Sequence, residues 1–278
     1  MADSTDDLFA GRATPVHRGV GGLVTPFEQP PLFNRRVSTP LPGLPNGQDV
    51  AFRCFADDGR LYYCKADKDG RAVRAIEWFA TSLAKHLRIS VAEAAIIEDD
   101  DGQTYFGSRS PTSLADEVEV QRYLGTPATG ELGQPIPWLG QYLAQLFAFD
   151  MFIDNPDRNL RNFIIDRDGG GPRLQAIDFA SARLMNFSVE RFPIESENTV
   201  WVGRIVRGTH GAHLSAALEM LDWIAAVPFD AVETIIGQMP DDWLNLDQRE
   251  GLRGIWSDGR RNDRIARLRA LLGHELQI

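Results

Sequence analysis

The sequence predicts an α+β protein with a small β-rich amino-terminal lobe followed by a larger, mostly helical one. Three observations carry that reading. Short β-prone runs separated by turn signals lie between Arg35 and Ala66. Apolar residues at helical spacing follow at Ile76, Phe79, Ala80, Leu83, Ala84 and Leu87. From Trp138 onward, apolar and amphipathic helical stripes fill most of the chain. The 278 residues, 43% of them hydrophobic, suffice for one large domain or one domain built of two lobes.

Residues 1–32 are rich in Gly, Pro and Thr without periodicity and read as an irregular arm. The small lobe is expected over 33–115, with strands at 36–38, 49–55 and 61–66. Asp57-Asp58-Gly59 supplies a hairpin signal between the second and third strands. A Pro/Gly-rich loop, 40–47, separates the first two. A helix over 73–87 should pack on this sheet, and two β-prone stretches, 94–97 and 104–106, flank a turn. The helical lobe is expected over 116–278, its boundary falling between Ser110 and Pro137. It opens with a strongly apolar helix over 138–153, and two loops are expected at 111–137 and 185–207.

Composition removes several classes of function. Twenty-nine basic against thirty-nine acidic residues give a net charge of −10 and a pI near 5.0, the wrong sign for broad binding of nucleic acid or anionic membrane. The acidic stretch Met1 to Asp7 has no apolar core, so neither a secretory signal nor an anchor is expected there, and no apolar run approaches the roughly 18 residues of a membrane span. Cytoplasmic residence is the expectation. Cys54 and Cys64 are too few for a disulfide framework and lack zinc-site spacing, although a bridge between paired strands stays open. His210, His213 and Glu219 are better placed to serve helix termini than a metal. The six tryptophans read as core and lobe-interface anchors.

The chemistry concentrates between Phe149 and Leu184. The apolar helix runs into Asp154-Asn155-Pro156, where proline forces a turn. Asp157 follows, then Asn162 five residues later, then two β-prone runs joined through Asp-Gly-Gly-Gly, then Asp178. An acidic residue on a rigid loop can accept a hydrogen bond from an attacking hydroxyl, and a side-chain amide and a carboxylate brought together by a hairpin offer hard oxygens to magnesium. Taken singly, each is an ordinary turn-forming residue; the three in this order point to phosphoryl transfer.

DNPDRNLRN followed by IDF resembles the catalytic loop and metal-binding motif of HipA-like kinases, and more distantly those of phosphoinositide kinases. YYCKADKDGRAVRAIEWFATSLAKHLRISVAEAAII is similar to the family segment that carries a strand lysine and a helix glutamate, and MPDDWL resembles a recurring element of its helical tail. The resemblance spans roughly residues 35–245. It implies a bilobal protein-kinase-like fold binding ATP and Mg²⁺, with γ-phosphate transfer to a hydroxyl, a protein Ser or Thr being the leading acceptor. It makes Asp157 the catalytic aspartate, Asn162 and Asp178 the metal ligands, Lys65 the lysine on the α- and β-phosphates, and Glu77 its orienting partner. Arg158 would brace the loop.

Departures from the family pattern keep other readings open. Ala180 follows Asp178-Phe179 where kinases often carry glycine, and Asn159 stands where histidine is common. No GxGxxG occupies the first hairpin; the loop with Ser38, Thr39 and Gly43 stands in its place as the nucleotide cradle, Ser38 or Thr39 being the expected self-phosphorylation site. A pseudokinase or nucleotide-sensing module, and a kinase of small-molecule or lipid hydroxyls, are the alternatives. A regulatory partner subunit is compatible with all of them.

Overall fold

The computed structural model describes residues 34–41, 49–127, 129, 137–168 and 172–275, with side chains to 272. Strands β1 (Arg35–Leu41), β2 (Val50–Ala56), β3 (Leu61–Lys65), β4 (Ala94–Glu98) and β5 (Thr104–Arg109) form a closed barrel of order β1-β2-β3-β5-β4, with alternate side chains of β2, β3 and β4 turned inward. The β2–β3 hairpin turns where the sequence signals it: Gly59 sits at φ +73°, and its N–H donates to the Ala56 carbonyl at 2.9 Å. Closure comes from a short parallel pairing of Arg35 and Arg36 with Ile97 and Glu98. Local patterning gives no sign of that pairing, which joins residues some sixty positions apart in sequence.

The first strand runs two residues into the expected 40–47 loop. Pairing with β2 holds β1 extended to Leu41, through a register shift between Val37 and Thr39. Inside the barrel lie Cys54, Ala56, Tyr62, Cys64, Ala95 and Ile97. Gly107 is required here, because a Cβ on it would stand 2.5 Å from Ile97 Cγ1. The two thiols are free diagonal neighbours with Sγ atoms 3.5 Å apart, well beyond the roughly 2.05 Å of a bond, so the bridge left open by the sequence is not formed.

Helix α1 (Val73–His86) is buried on nearly every side because it has two surfaces to cover. One faces the barrel. The other meets the helical half through edge-to-face contacts, Phe79 with Trp256 at 5.6 Å and Trp78 with Trp243 at 6.2 Å. The helical half contains α2 (Glu117–Gly125), α3 (Pro137–Phe152), the hairpin β6 (Phe163–Asp166) and β7 (Arg173–Ala176), α4 (Asn198–His210), α5 (Leu214–Ala226), α6 (Phe229–Gly237), α7 (Leu246–Ser257) and α8 (Arg260–Glu275). Helix α3 is apolar all round because α4, α5 and α8 pack against it.

Helices α2 and α4 occupy segments whose sequence reads as loop. A capping box of Asp116 and Glu119 starts α2, a signal present in the sequence. Helix α4 has no side-chain cap and carries Gly203 and several β-branched residues; packing on α3 overrides its weak propensity. His210 ends α4, its Nε2 2.6 Å from the Leu124 carbonyl, while His213 precedes α5 in a left-handed conformation with its Nε2 2.7 Å from the His210 carbonyl. Among the described residues no group of three His, Cys, Asp or Glu could hold a metal, and no helix is long and apolar enough to cross a membrane.

The carboxyl end of α3 is closed from far along the chain. Arg264 of α8, fully buried, donates to the carbonyls of Met151, Phe152 and Arg191 at 2.6 Å each, and to that of Ser188. The first two are carbonyls of the last turn of α3, which a helix end leaves without partners, and the other two tie the segment before α4 to the same side chain. Burial pulls the guanidinium pKa down to about 10.

Candidate active site

Asp150 is the residue that organises the loop beyond α3. It stands inside the apolar run Phe147–Phe152, 0% exposed, and accepts Arg158 Nε at 2.8 Å and Nη2 at 3.1 Å, together with Asn155 Nδ2 at 2.8 Å. The same guanidinium donates through Nη1 to the Asn162 carbonyl at 3.1 Å and to the Ile177 carbonyl, and lies 4.5 Å from the Phe179 ring centroid. Arg158 therefore ties the loop, the start of β6 and the residue before Asp178 to one buried carboxylate. Asp154, also 0% exposed and at φ +52°, is held by Arg183 at 3.2 Å and Arg191 at 2.5 Å.

Asp157 is half-buried on this loop and accepts Asn198 Nδ2 at 2.6 Å. Asn162 donates through Nδ2 to the Asp157 carbonyl at 2.7 Å, which leaves its side-chain oxygen as the acceptor end. The β6–β7 ladder extends by one further bond, Ile177 N–H to the Asn162 carbonyl at 3.0 Å. The open end of the hairpin thus brings Asn162 beside Asp178, whose backbone adopts φ +62°. From the other side, the Thr199 hydroxyl donates to the Asn155 carbonyl and accepts Arg158 N–H at 2.9 Å.

Lys65, at the end of β3, reaches into the same place. Its ammonium stands 2.5 Å from Glu77 Oε1 and 2.8 Å from Asp178 Oδ1, and Glu77 Oε1 also accepts the Phe179 N–H at 3.1 Å. Glu77 thus faces inward, to Lys65, rather than to the surface cations of its own helix. Burial opposes the charge on Lys65, but the two carboxylates outweigh it and hold its pKa above the ordinary lysine value. Burial likewise opposes the charge on Asp178, and Lys65 overcomes it, holding this carboxyl below its usual range.

Of the remaining sequence candidates, Ser38 and Thr39 are not in this cluster. Ser38 and Thr39 lie exposed on β1, and Gly43 falls outside the described residues. A cavity of about 430 Å³ sits behind the loop, walled by Asp150, Arg158 and Thr199, and does not include Lys65, Asp157 or Asp178. Sequence reasoning missed Asp150, Asn198 and Thr199. A lone carboxylate inside an apolar helix is a readable sign of a buried partner. Asn198 and Thr199 meet the loop across forty-one residues and leave no local trace.

The fold is that of a kinase. The solved structure of CtkA, a proinflammatory kinase from Helicobacter pylori, matches 84% of this chain and 93% of its own length at 16% identity, with a TM-score of 0.55. HipA of Shewanella oneidensis MR-1, solved with HipB and operator DNA, aligns over 77% of this chain and 58% of its own at 13% identity and TM-score 0.42. A Golgi casein kinase solved with manganese and ADP aligns over 90% and 74% at 13% identity and TM-score 0.38. Comparison with curated protein sequences gives no significant match. The family model for HipA-like kinases matches residues 42–258, and the chain belongs to that family. It is a kinase-type phosphotransferase.

Proposed function

We propose that this kinase transfers the γ-phosphate of ATP, with magnesium, to a hydroxyl group, a Ser or Thr of a protein being the acceptor. The observation that carries this reading is the junction at Lys65: one buried ammonium bridges Glu77 and Asp178, and Arg158 and the Ile177–Asn162 bond tie Asp178 to the loop bearing Asp157. Residues 33–115 and 116–278 are proposed as the two lobes, with the transfer chemistry where α1, β3 and the β6–β7 hairpin meet.

In this reading the ammonium of Lys65, oriented by Glu77, draws the α- and β-phosphates. The donor set suits magnesium, since Asn162 and Asp178 offer an amide and a carboxylate oxygen and the ion prefers few protein oxygens with phosphate and water completing its shell. Bound there, the ion would neutralise charge on the transferring phosphate. Asp157 accepts the hydrogen bond of the attacking hydroxyl through the carboxylate oxygen not engaged by Asn198, holding it in line. Its proton passes to Asp157 as the oxygen–phosphorus bond forms and ADP leaves.

The test uses purified protein, Mg-ATP labelled at the γ-phosphate, and two acceptors: the protein itself and dephosphorylated casein. Wild type should transfer label and melt at higher temperature with Mg-ATP present. Asp157→Ala should keep that nucleotide-induced shift and lose transfer. Equal transfer by the Asp157→Ala protein defeats the assignment.

A further inference from the structure

The MPDDWL element of the helical half has no place in the chemistry above, yet two of its residues reach across to the helix that carries Glu77. Arg74 lies one turn before Glu77 on α1, and its single guanidinium joins three separate segments. Nε and Nη2 donate to Asp67 Oδ2 at 3.1 and 2.8 Å, on the connection from β3. Nη1 donates to the Thr104 carbonyl of β5 at 2.9 Å and to Asp242 Oδ2 at 2.8 Å, in the short 3₁₀ turn Asp241–Trp243. Trp243, 2% exposed, completes the junction: Arg74 lies 5.5 Å from its ring, its Nε1–H donates to Thr104 Oγ1 at 2.8 Å, and Trp78 packs on its edge.

We infer that Arg74 and Asp242, with Trp243 behind them, are positioning residues for phosphoryl transfer: a strut that fixes the rotation of α1 and so keeps the Glu77 carboxylate on Lys65. The inference rests on the kinase chemistry proposed above and gives the MPDDWL element its task. A helix is stiff over one turn, so what holds Arg74 also holds Glu77. Side chains project to a radius of about 5–6 Å, so a 20° rotation of α1 would carry the Glu77 carboxylate roughly 2 Å. The Lys65–Glu77 contact is 2.5 Å, and a displacement of that size breaks it and the Phe179 N–H bond together.

The two ends of the strut differ in a way that makes the idea testable. Arg74 is buried, and removing it perturbs folding as well as position. The Asp242 side chain is 61% exposed, and a pair with one end in solvent adds little to global stability while still setting orientation. Asp242→Asn is therefore the informative variant, Trp243→Phe the second, and Glu250→Gln, which removes a surface partner of Arg253, the control.

Two readouts that need no acceptor decide the matter. The first is the rate at which a water-soluble acetylating reagent modifies Lys65, followed by peptide mass spectrometry; a buried ammonium clamped by two carboxylates resists acylation. The second is the affinity for a fluorescent N-methylanthraniloyl ADP with magnesium. Asp242→Asn should acetylate at Lys65 at least three times faster than wild type and bind the nucleotide three to ten times more weakly, its melting temperature within about 2 °C of wild type. Trp243→Phe should move both readouts in the same direction. Wild-type labelling and affinity in Asp242→Asn, or faster labelling and weaker binding that only track a lower melting temperature, would overturn the inference. If wild type binds no nucleotide, the ATP reading fails while the Lys65 labelling still judges the strut.

Discussion

Replacing Arg158 by lysine keeps the positive charge and removes the fork, separating what the charge does from what the geometry does. A lysine ammonium can still meet Asp150, which also keeps its bond from Asn155 at 2.8 Å. It cannot at the same time reach the carbonyls of Asn162 and Ile177. The Asn162 carbonyl retains the Ile177 N–H at 3.0 Å, so it loses one charged hydrogen bond but is not orphaned. The Ile177 carbonyl loses the donor it has. Together the lost charged bond and the deprived carbonyl come to about 3 kcal/mol. For a chain of this size that corresponds to a fall in melting temperature of roughly 6–12 °C. The same change leaves the Ile177–Asn162 bond as the remaining tie between Asp178 and the loop, and misplacement of reacting groups by an ångström costs on the order of 100-fold in rate. Differential scanning calorimetry and labelled-phosphate transfer measure the two effects. A melting temperature within about 2 °C of wild type, with an unchanged rate, would refute the bracket role.

Asn198→Ala should lower the transfer rate roughly five- to tenfold with little change in melting temperature, since one exposed bond to Asp157 is lost; Asn198→Asp should be worse, because a second carboxylate then faces the first. Burial lowers the imidazole pKa of both His86 and His210 below the ordinary value near 6.5, so both fold as neutral rings. Their contribution is complete above pH 6.5 and is lost as the pH falls toward the folded-state values. Melting temperature should therefore drop between pH 7 and pH 5, and the His210→Gln protein should show a shallower drop. Arg264→Met should cost on the order of 4 kcal/mol by stranding buried carbonyls at the end of α3, and urea unfolding would show it as a lower midpoint at unchanged slope.

Much of this architecture is written locally. The alternation in β2 and β3, the Asp57-Asp58-Gly59 turn and the stripe of α1 can each be read from a dozen residues. So can the order Asp157, Asn162, Asp178, because a hairpin of short strands brings its ends together by construction. The features that escaped reading are those set by distant partners. Closure of the barrel depends on Arg35 meeting Ile97. Helix α4 exists because α3 offers it a surface, and Asn198 reaches Asp157 only once that packing is in place. The capping box at Asp116 shows the opposite case, a local signal standing inside a segment that reads as a loop.

The Arg264 seal has a bearing on when this protein can act. The helix from which the Asp157 loop departs is finished by a side chain 112 positions later than Phe152. During synthesis, amino-terminal segments emerge first, and contacts between distant positions wait for their later member. The Asp150–Arg158 bracket can form earlier, but this seal on the helix beneath the loop waits until α8 has emerged and docked. A nascent chain carrying every proposed reactive residue would still lack that seal, so the last described helix is also the last contributor to the support of the loop.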